Sequence, residues 1–449
     1  MTAIFFDLET TDLAPVGQII NFCFIAVDDD FSIIGECSDL VRLSRLQLPR
    51  AGAIAANRTD VLNHQKEALL NEPQAMEKIS SFINGIIQEA GDYKAQLIGF
   101  NSANFDLNYL RTSMIRNGVY PYLKISNKDL LLTAQKLFVS NETFKEKLLT
   151  YCQKQDIKPN LKLETLCKCH GLLDGAQTHE SRDDVIITIK LAQCFLEQYG
   201  LDVRTAVPYE PIRSHNKGAG TVVCRNVLQR RSFETFPMYY ALLVADHRQA
   251  LWVDLEKFKQ EKEKGKTSKS ISWFNFERHP FFVHQDQNIP LEVEDLAQEA
   301  IGQLKGVTLR NYFGETSCDI EQFIYRVHPG RIAELKRIFN KAAPAKNLSS
   351  DEKELFRRYR IANHEKGAAH NDAMLAALGE YAVYRYGGKM QLSRSDDSYM
   401  HPTLEDLKAE IETVEKEVDA ETQELMCSLR EFYEQSEVMR EYGQMMEKR

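Results

Sequence analysis

The chain has 449 residues, 43% of them hydrophobic and 27% charged, with a formal net charge of −9. That balance suits a globular protein of two or three domains with real hydrophobic cores, and no run of about 18 apolar residues offers a membrane span. The start, Met1-Thr2-Ala3-Ile4-Phe5-Phe6-Asp7, lacks the features of a secretory leader, and nine scattered cysteines argue for reduced thiols, so a cytoplasmic protein without a membrane partner is expected. The charge is uneven: residues 203–350 carry +5, between −6 over 1–202 and −8 over 351–449. Net charge governs association rather than fold, so the acidic total leaves room for a polyanion-binding groove with little tolerance for salt.

In chain order, residues 3–6 form an apolar run, read as a buried strand leading into Asp7. Strands are predicted at 19–27 and 33–41, joined by Asp28-Asp29-Asp30 as a turn. An amphipathic helix over 73–90 precedes an apolar strand at 96–100 and a helix starting near Asn104. This alternation indicates an α/β domain with a mixed sheet. Residues 184–196 place Val185, Ile186, Ile189, Ala192 and Cys194 at helical spacing. Prolines and polar residues from Tyr199 to Pro211 mark a boundary, beyond which 221–227, 239–244 and 251–255 read as short strands. The lysine-rich stretch Lys257–Lys269 reads as a solvated loop, with a DNA contact as the alternative. Trp273, Phe274 and Phe276 read as core of an apolar strand. From residue 349 the pattern is helical, and acidic 402–447 reads as one long amphipathic helix or a hairpin of helices. The expected domains are 1–202, 203–350 and 351–449.

Four carboxylates and one histidine stand out in the first domain. Asp7 and Glu9 project from one face of a strand and repel unless a cation sits between them. Asp-x-Glu alone is common, but here it ends an apolar strand, and Thr10-Thr11 add hydroxyl and N–H groups for a phosphate. Asp106 follows Gly99-Phe100-Asn101 and starts a helix, from which it can face the same cleft. Taken singly, Asp106 is a helix-start acid favoured by the dipole and Asn101 a cap or turn residue. His179 precedes Asp184 by five residues at a helix entry, where an imidazole titrating near neutrality can take a proton from a water. Asp183 competes for the place of Asp184. Hard cations such as Mg²⁺ bind carboxylate oxygens, waters and phosphates, and two of them about 4 Å apart can activate a water and stabilise a leaving oxygen. The set points to metal-dependent phosphodiester hydrolysis. Cys167-Lys168-Cys169-His170 has no second ligand pair suited to zinc and reads as structural thiols.

Asp-x-Glu-Thr, Asn with Phe-Asp, and His-x₄-Asp, in this order, resemble the DnaQ-like 3′→5′ exonucleases with four acidic residues and a histidine, the DEDDh group. The likeness extends to the bacterial exonuclease I (exodeoxyribonuclease I) family. Leu161-Lys162-Leu163-Glu164-Thr165-Leu166, His170-Gly171 and His179…Asp184-Val185 are similar to its third motif and the stretch before it. Leu48-Pro49-Arg50-Ala51-Gly52-Ala53 resembles its proline-bearing loop, and Tyr359-Arg360-Ile361-Ala362-Asn363 falls in its helical domain.

The resemblance implies an α/β ribonuclease H-like exonuclease domain with a mixed sheet, followed by a β-rich SH3-like domain and a C-terminal helical domain. It implies metal ligands at Asp7, Glu9, Asp106 and Asp184, two Mg²⁺ ions with Mn²⁺ as a substitute, and His179 as general base. Substrate contacts are implied at Glu9, Thr10, Asn101, Arg111, Tyr122 and Lys162; read without it, Arg111 and Lys162 are solvated charges and Tyr122 is core. The implied activity is processive 3′→5′ degradation of single-stranded DNA to mononucleotides in DNA repair or recombination. A monomer is implied, with single-strand DNA-binding protein as a partner through its acidic tail. The alternatives are the same chemistry on RNA or short oligonucleotides, and a defence-associated nucleic-acid-binding protein. Two features depart from the pattern. Asp12 stands where glycine usually follows Thr-Thr, an extra negative charge expected close to the substrate path, and the stretch from Tyr122 to Asp129 is short.

Overall fold

The computed structural model describes residues 2–121, 123–175, 180–206, 218–228, 235–245, 249–275, 283–284, 289–309, 312, 318–322, 337, 348–363, 372–394, 397–417 and 419–448. The chain makes two compact units, one of residues 1–126, 177–186 and 318–449, the other of 127–176 and 187–317. The three-part division at 202 and 350 stays a proposal beside this grouping.

β1 (Ala3–Thr10), β2 (Ile19–Val27), β3 (Ile33–Leu40) and β4 (Ala95–Gly99), all within the first unit, form a sheet with β5 (Ile125–Asp129) in the order β3-β2-β1-β4-β5. β1 pairs antiparallel with β2 and parallel with β4, so the sheet is mixed and β1 is its centre. A central strand is covered on both faces and reads as a nearly unbroken apolar run, which is why residues 3–6 were legible. The Glu72–Glu89 helix packs Ala75, Met76, Ile79, Ile83, Ile86 and Ile87 against Ile4, Phe6, Phe22 and Phe24. Its start is fixed by a capping box in which Asn71 Oδ1 accepts from Gln74 N–H and Gln74 Oε1 accepts from Asn71 N–H.

A second core in this unit joins distant parts of the sequence. Val16, Ile20, Leu46, Leu48, Ile54 and Val61 pack with Tyr381, Tyr386, Leu407, Leu429 and Tyr433. The acidic C-terminal stretch is three helices, Leu404–Glu417, Ala420–Gln435 and Glu437–Glu447, rather than one helix or a hairpin. Asp419 caps the second by accepting from Thr422 N–H, and the extended backbone of Ser436 ends it. Arg116, 4% exposed, pairs with Glu72 and Glu321 and donates to the carbonyls of Val16 and Gly17.

In the second unit, β6 (Val222–Leu228), β7 (Thr235–Ala245), β8 (Gln249–Asp254), β9 (Ile271–Asn275) and β10 (Val283–His284) form an antiparallel sheet in the order β10-β6-β7-β8-β9. The solvated-loop reading of Lys257–Lys269 is corrected: residues Leu255–Lys262 are a helix and Thr267–Ser270 a 3₁₀ turn. Asp254 starts the helix by accepting from Lys257 N–H. Leu255 and Phe258, three apart, are buried with Ala241, Leu251 and Val253. Lysine is a good helix former, so a lysine-rich outer face is no mark of a loop. Trp273 packs against the same core as expected, whereas Phe276 lies outside the described residues. His170 is also structural: Nδ1 lies 2.7 Å from Leu166 O and Nε2 2.9 Å from Tyr199 Oη, among Phe144 and Phe195. All nine cysteines are free thiols.

Candidate metal centre

Asp7 and Glu9 leave β1 on one face, opposite Cys23 and Asn21 of β2, and the register shifts between Glu9 and Thr10. Asp184 joins them from the first turn of the Ser181–Tyr199 helix. One carboxylate oxygen from each of Asp7, Glu9 and Asp184 lies within 4.8 Å of the others. The helix start is fastened to the sheet at two points. Ser181 Oγ donates to Asn21 Oδ1 at 3.0 Å, and Arg182 donates to both oxygens of Glu36 at 2.8 and 3.1 Å. Asn21 is the strand partner of Glu9, so the first bond ties the helix bearing Asp184 to the strand pair bearing Glu9. Asp184 is buried and Asp183 exposed, which places Asp184 in the cluster.

Asp106, at the start of the helix that follows the loop after β4, is not part of the 4.8 Å group, but its charge acts on both Asp7 and Glu9. Gly99 opens that loop because a Cβ there would stand 2.5 Å from Ser102 Cβ, and Asn101 turns the chain in the left-handed region with φ +60. Asp106 is the first residue of the Asp106–Arg116 helix and is 4% exposed. Burial, then the charges of Asp106, Glu9 and Asp184, raise the Asp7 carboxyl well above its usual range. Burial, then Asp184 and Asp106, push Glu9 up to about 8. Carboxylates crowded in this way are stabilised by a proton or by a cation, and a donor set made only of carboxylates suits a hard divalent ion.

The other candidates divide. Thr10 is buried, and its hydroxyl donates to the Asp12 carbonyl at 3.1 Å. The Thr11 hydroxyl accepts from Gln18 N–H, so both hydroxyls serve the turn. Arg111, on the Asp106 helix, is 5% exposed and is not a solvated charge. Lys162 is exposed at the start of the Leu163–Cys169 helix, in the second unit. His179 and Tyr122 lie outside the described residues. The expectation for Asp12 is corrected: it is 5% exposed, with its carboxylate 3.7 Å from Arg50 Nη1 and 3.6 Å from His401 Nε2. Its charge is compensated inside the fold. Asn21, Ser181, Arg182 and Glu36 were not singled out by sequence, since only the strand register and the helix docking reveal them.

No protein-family model matches the chain, and no curated protein matches it in sequence. Solved structures do match. A zinc-bound E. coli exonuclease I–ssDNA complex is 16% identical, with a TM-score of 0.63 over 96% of this chain and 98% of that one. E. coli exonuclease I with a dT13 oligonucleotide is 17% identical, with a TM-score of 0.65 over 96% and 99%. An exonuclease I complex with the SSB C-terminal peptide is 15% identical, with a TM-score of 0.65 over 97% and 99%. The chain therefore has the fold of exonuclease I across its length: a ribonuclease H-like mixed sheet, a β-rich SH3-like part and C-terminal helices.

Proposed function

We propose that the chain is a divalent-cation-dependent 3′→5′ exonuclease that degrades single-stranded DNA to mononucleotides, with a role in DNA repair or recombination. The observation that carries this reading is the gathering of Asp7, Glu9 and Asp184 within 4.8 Å, with Asp106 adding its charge, in a fold shared with structures solved with ssDNA. Asp7, Glu9, Asp106 and Asp184 would hold two Mg²⁺ ions, with Mn²⁺ as a substitute. When bound, such ions lower the pKa of a water and stabilise the leaving oxygen. Asp7 and Glu9 are fixed by the central strand and Asp184 by its docked helix, so the carboxylates are positioned before substrate arrives. His179, five residues before Asp184, accepts the proton of the attacking water. Arg111, Lys162, Asn101 and Tyr122 hold the strand through backbone and base contacts, and Thr10, its hydroxyl taken up by the turn, contributes through its backbone alone. Residues 203–350, at +5, help retain the polyanion and support processivity. The protein works as a monomer, and single-strand DNA-binding protein docks through its acidic tail.

Purified protein incubated with 3′- and 5′-labelled ssDNA, dsDNA and RNA, with Mg²⁺ or EDTA, tests this reading. Immediate release of label from 3′-labelled ssDNA, only with Mg²⁺, is the expected result. Internal cuts, or mononucleotide release from 5′ ends, contradict it, and preference for RNA transfers the chemistry to the other substrate.

A further inference from the structure

Three residues past Glu9, the chain makes a junction that no ligand role explains. The Asp12 carbonyl accepts from the Thr10 hydroxyl at 3.1 Å and from Tyr109 Oη. Thr10 adjoins Glu9, and Tyr109 lies one turn after Asp106 on the same helix. One carbonyl oxygen thus links the strand end bearing Glu9 to the helix bearing Asp106. The Asp12 carboxylate faces the other way: it accepts from Ala14 N–H at 3.2 Å and stands beside Arg50 and His401. Arg50 Nε and Gly52 N–H donate in turn to Glu410 at 2.9 and 3.0 Å, and Arg50 N–H donates to Thr11 O. Asp12, His401 and Tyr109 are at most 5% exposed. Packing is tight enough that a Cβ on Gly17 would meet Tyr109 Oη at 2.6 Å and Asp12 Cβ at 2.7 Å.

We propose that Asp12 is a positioning residue for the metal-binding carboxylates, through which His401 and Glu410 of the C-terminal segment set the spacing between Glu9 and Asp106. The proposal rests on the reading that Asp7, Glu9, Asp106 and Asp184 hold the cation. Asp12 is not among the clustered ligand atoms, so it acts through the turn it fixes. Replacing its charge by an amide leaves Arg50 and His401 facing a neutral group. The strand end can then shift against the helix, and carboxylates that must converge on one ion lose their register. Groups that orient metal ligands typically change affinity 10- to 100-fold when altered.

The test is Mn²⁺ binding to the full chain, followed by electron paramagnetic resonance, with ssDNA affinity in EDTA and Tm measured on the same samples. Asp12→Asn is expected to weaken Mn²⁺ binding about tenfold and leave metal-free ssDNA affinity unchanged. Glu410→Gln, which keeps Asp12 in place, is expected to act in the same direction and serves if Asp12→Asn fails to fold. Leu429→Ala, in the buried C-terminal core, controls for general loosening: its Tm falls while Mn²⁺ affinity holds. Wild-type Mn²⁺ affinity in Asp12→Asn, or in Glu410→Gln where that variant stands in, overturns this proposal alone. So does equal weakening in Leu429→Ala. Absence of Mn²⁺ binding to the wild type, or unchanged binding in Asp7→Asn, overturns the metal-centre reading itself and this proposal with it.

Discussion

Glu9 sits beside two other carboxylates, and burial together with Asp184 and Asp106 pushes its pKa from 4.5 to about 8. The unfolded chain releases that proton near pH 4.5, so the folded chain binds more protons between about pH 4.5 and 8. Without a cation, stability therefore falls as pH rises through that window. A divalent ion takes the proton's place, so its stabilisation grows over the same range. Thermal unfolding in Mg²⁺ against EDTA checks this: the gain in Tm is larger at about pH 8 than at about pH 5, and Glu9→Gln flattens the difference. An equal gain at both pH values contradicts it. Two substitutions separate neighbours in the third motif. Asp184→Asn abolishes cation-dependent hydrolysis and Asp183→Asn does not, because only Asp184 is turned into the cluster; the opposite pattern in a labelled-ssDNA assay rejects that assignment. His179→Ala slows hydrolysis about 10²–10⁴-fold, the usual loss for a general base, and near-normal turnover at neutral pH removes it from the mechanism. Asp7 and Glu9 were legible because carboxylates two apart on an apolar strand have no bland explanation once Asp106 and Asp184 join them. Asp12 was misread because its partner His401 lies 389 positions later in the chain.

Elements were legible where one face decides the pattern. β2 runs over the span expected from its apolar residues, and the Glu72–Glu89 helix starts at an Asn-x-x-Gln box that sequence alone displays. The Leu255–Lys262 helix is hidden in the sequence because the six lysines of 257–269 suggest a solvated loop while only Leu255 and Phe258 face the core. That helix makes a quantitative prediction. Phe258→Ala removes a fully buried ring and costs about 3–5 kcal/mol, whereas Lys257→Ala stays within about 0.5 kcal/mol. Urea midpoints of the two variants check the order, and equal midpoints favour a solvated loop. At the start of the Ser181–Tyr199 helix, Ser181→Ala costs about 1 kcal/mol by urea midpoint, since it breaks a part-buried bond to Asn21.

At the scale of the whole molecule, the core shared by residues 14–61 with residues 361–438 could not be read from either segment. Each looks like an ordinary amphipathic stretch until the other covers it. Arg116 makes the same point: its partners Glu72 and Glu321 are separated by most of the chain, and a buried charge deprived of a partner is strongly destabilising. The segment holding the candidate ligands is thus not self-sufficient. A fragment of residues 1–202 lacks Tyr381, Leu407, Leu429 and Glu321 and is expected to show no cooperative thermal transition by circular dichroism; a sharp transition would show that the C-terminal helices are dispensable to the fold. Convergence of carboxylates from a strand and two helices on divalent cations is tested by anomalous diffraction from crystals of the full chain soaked in Mn²⁺. Anomalous density is expected between the carboxylates of Asp7, Glu9 and Asp184, and it is lost in Asp184→Asn. Density elsewhere alone, or none in the wild type at saturating Mn²⁺, contradicts it.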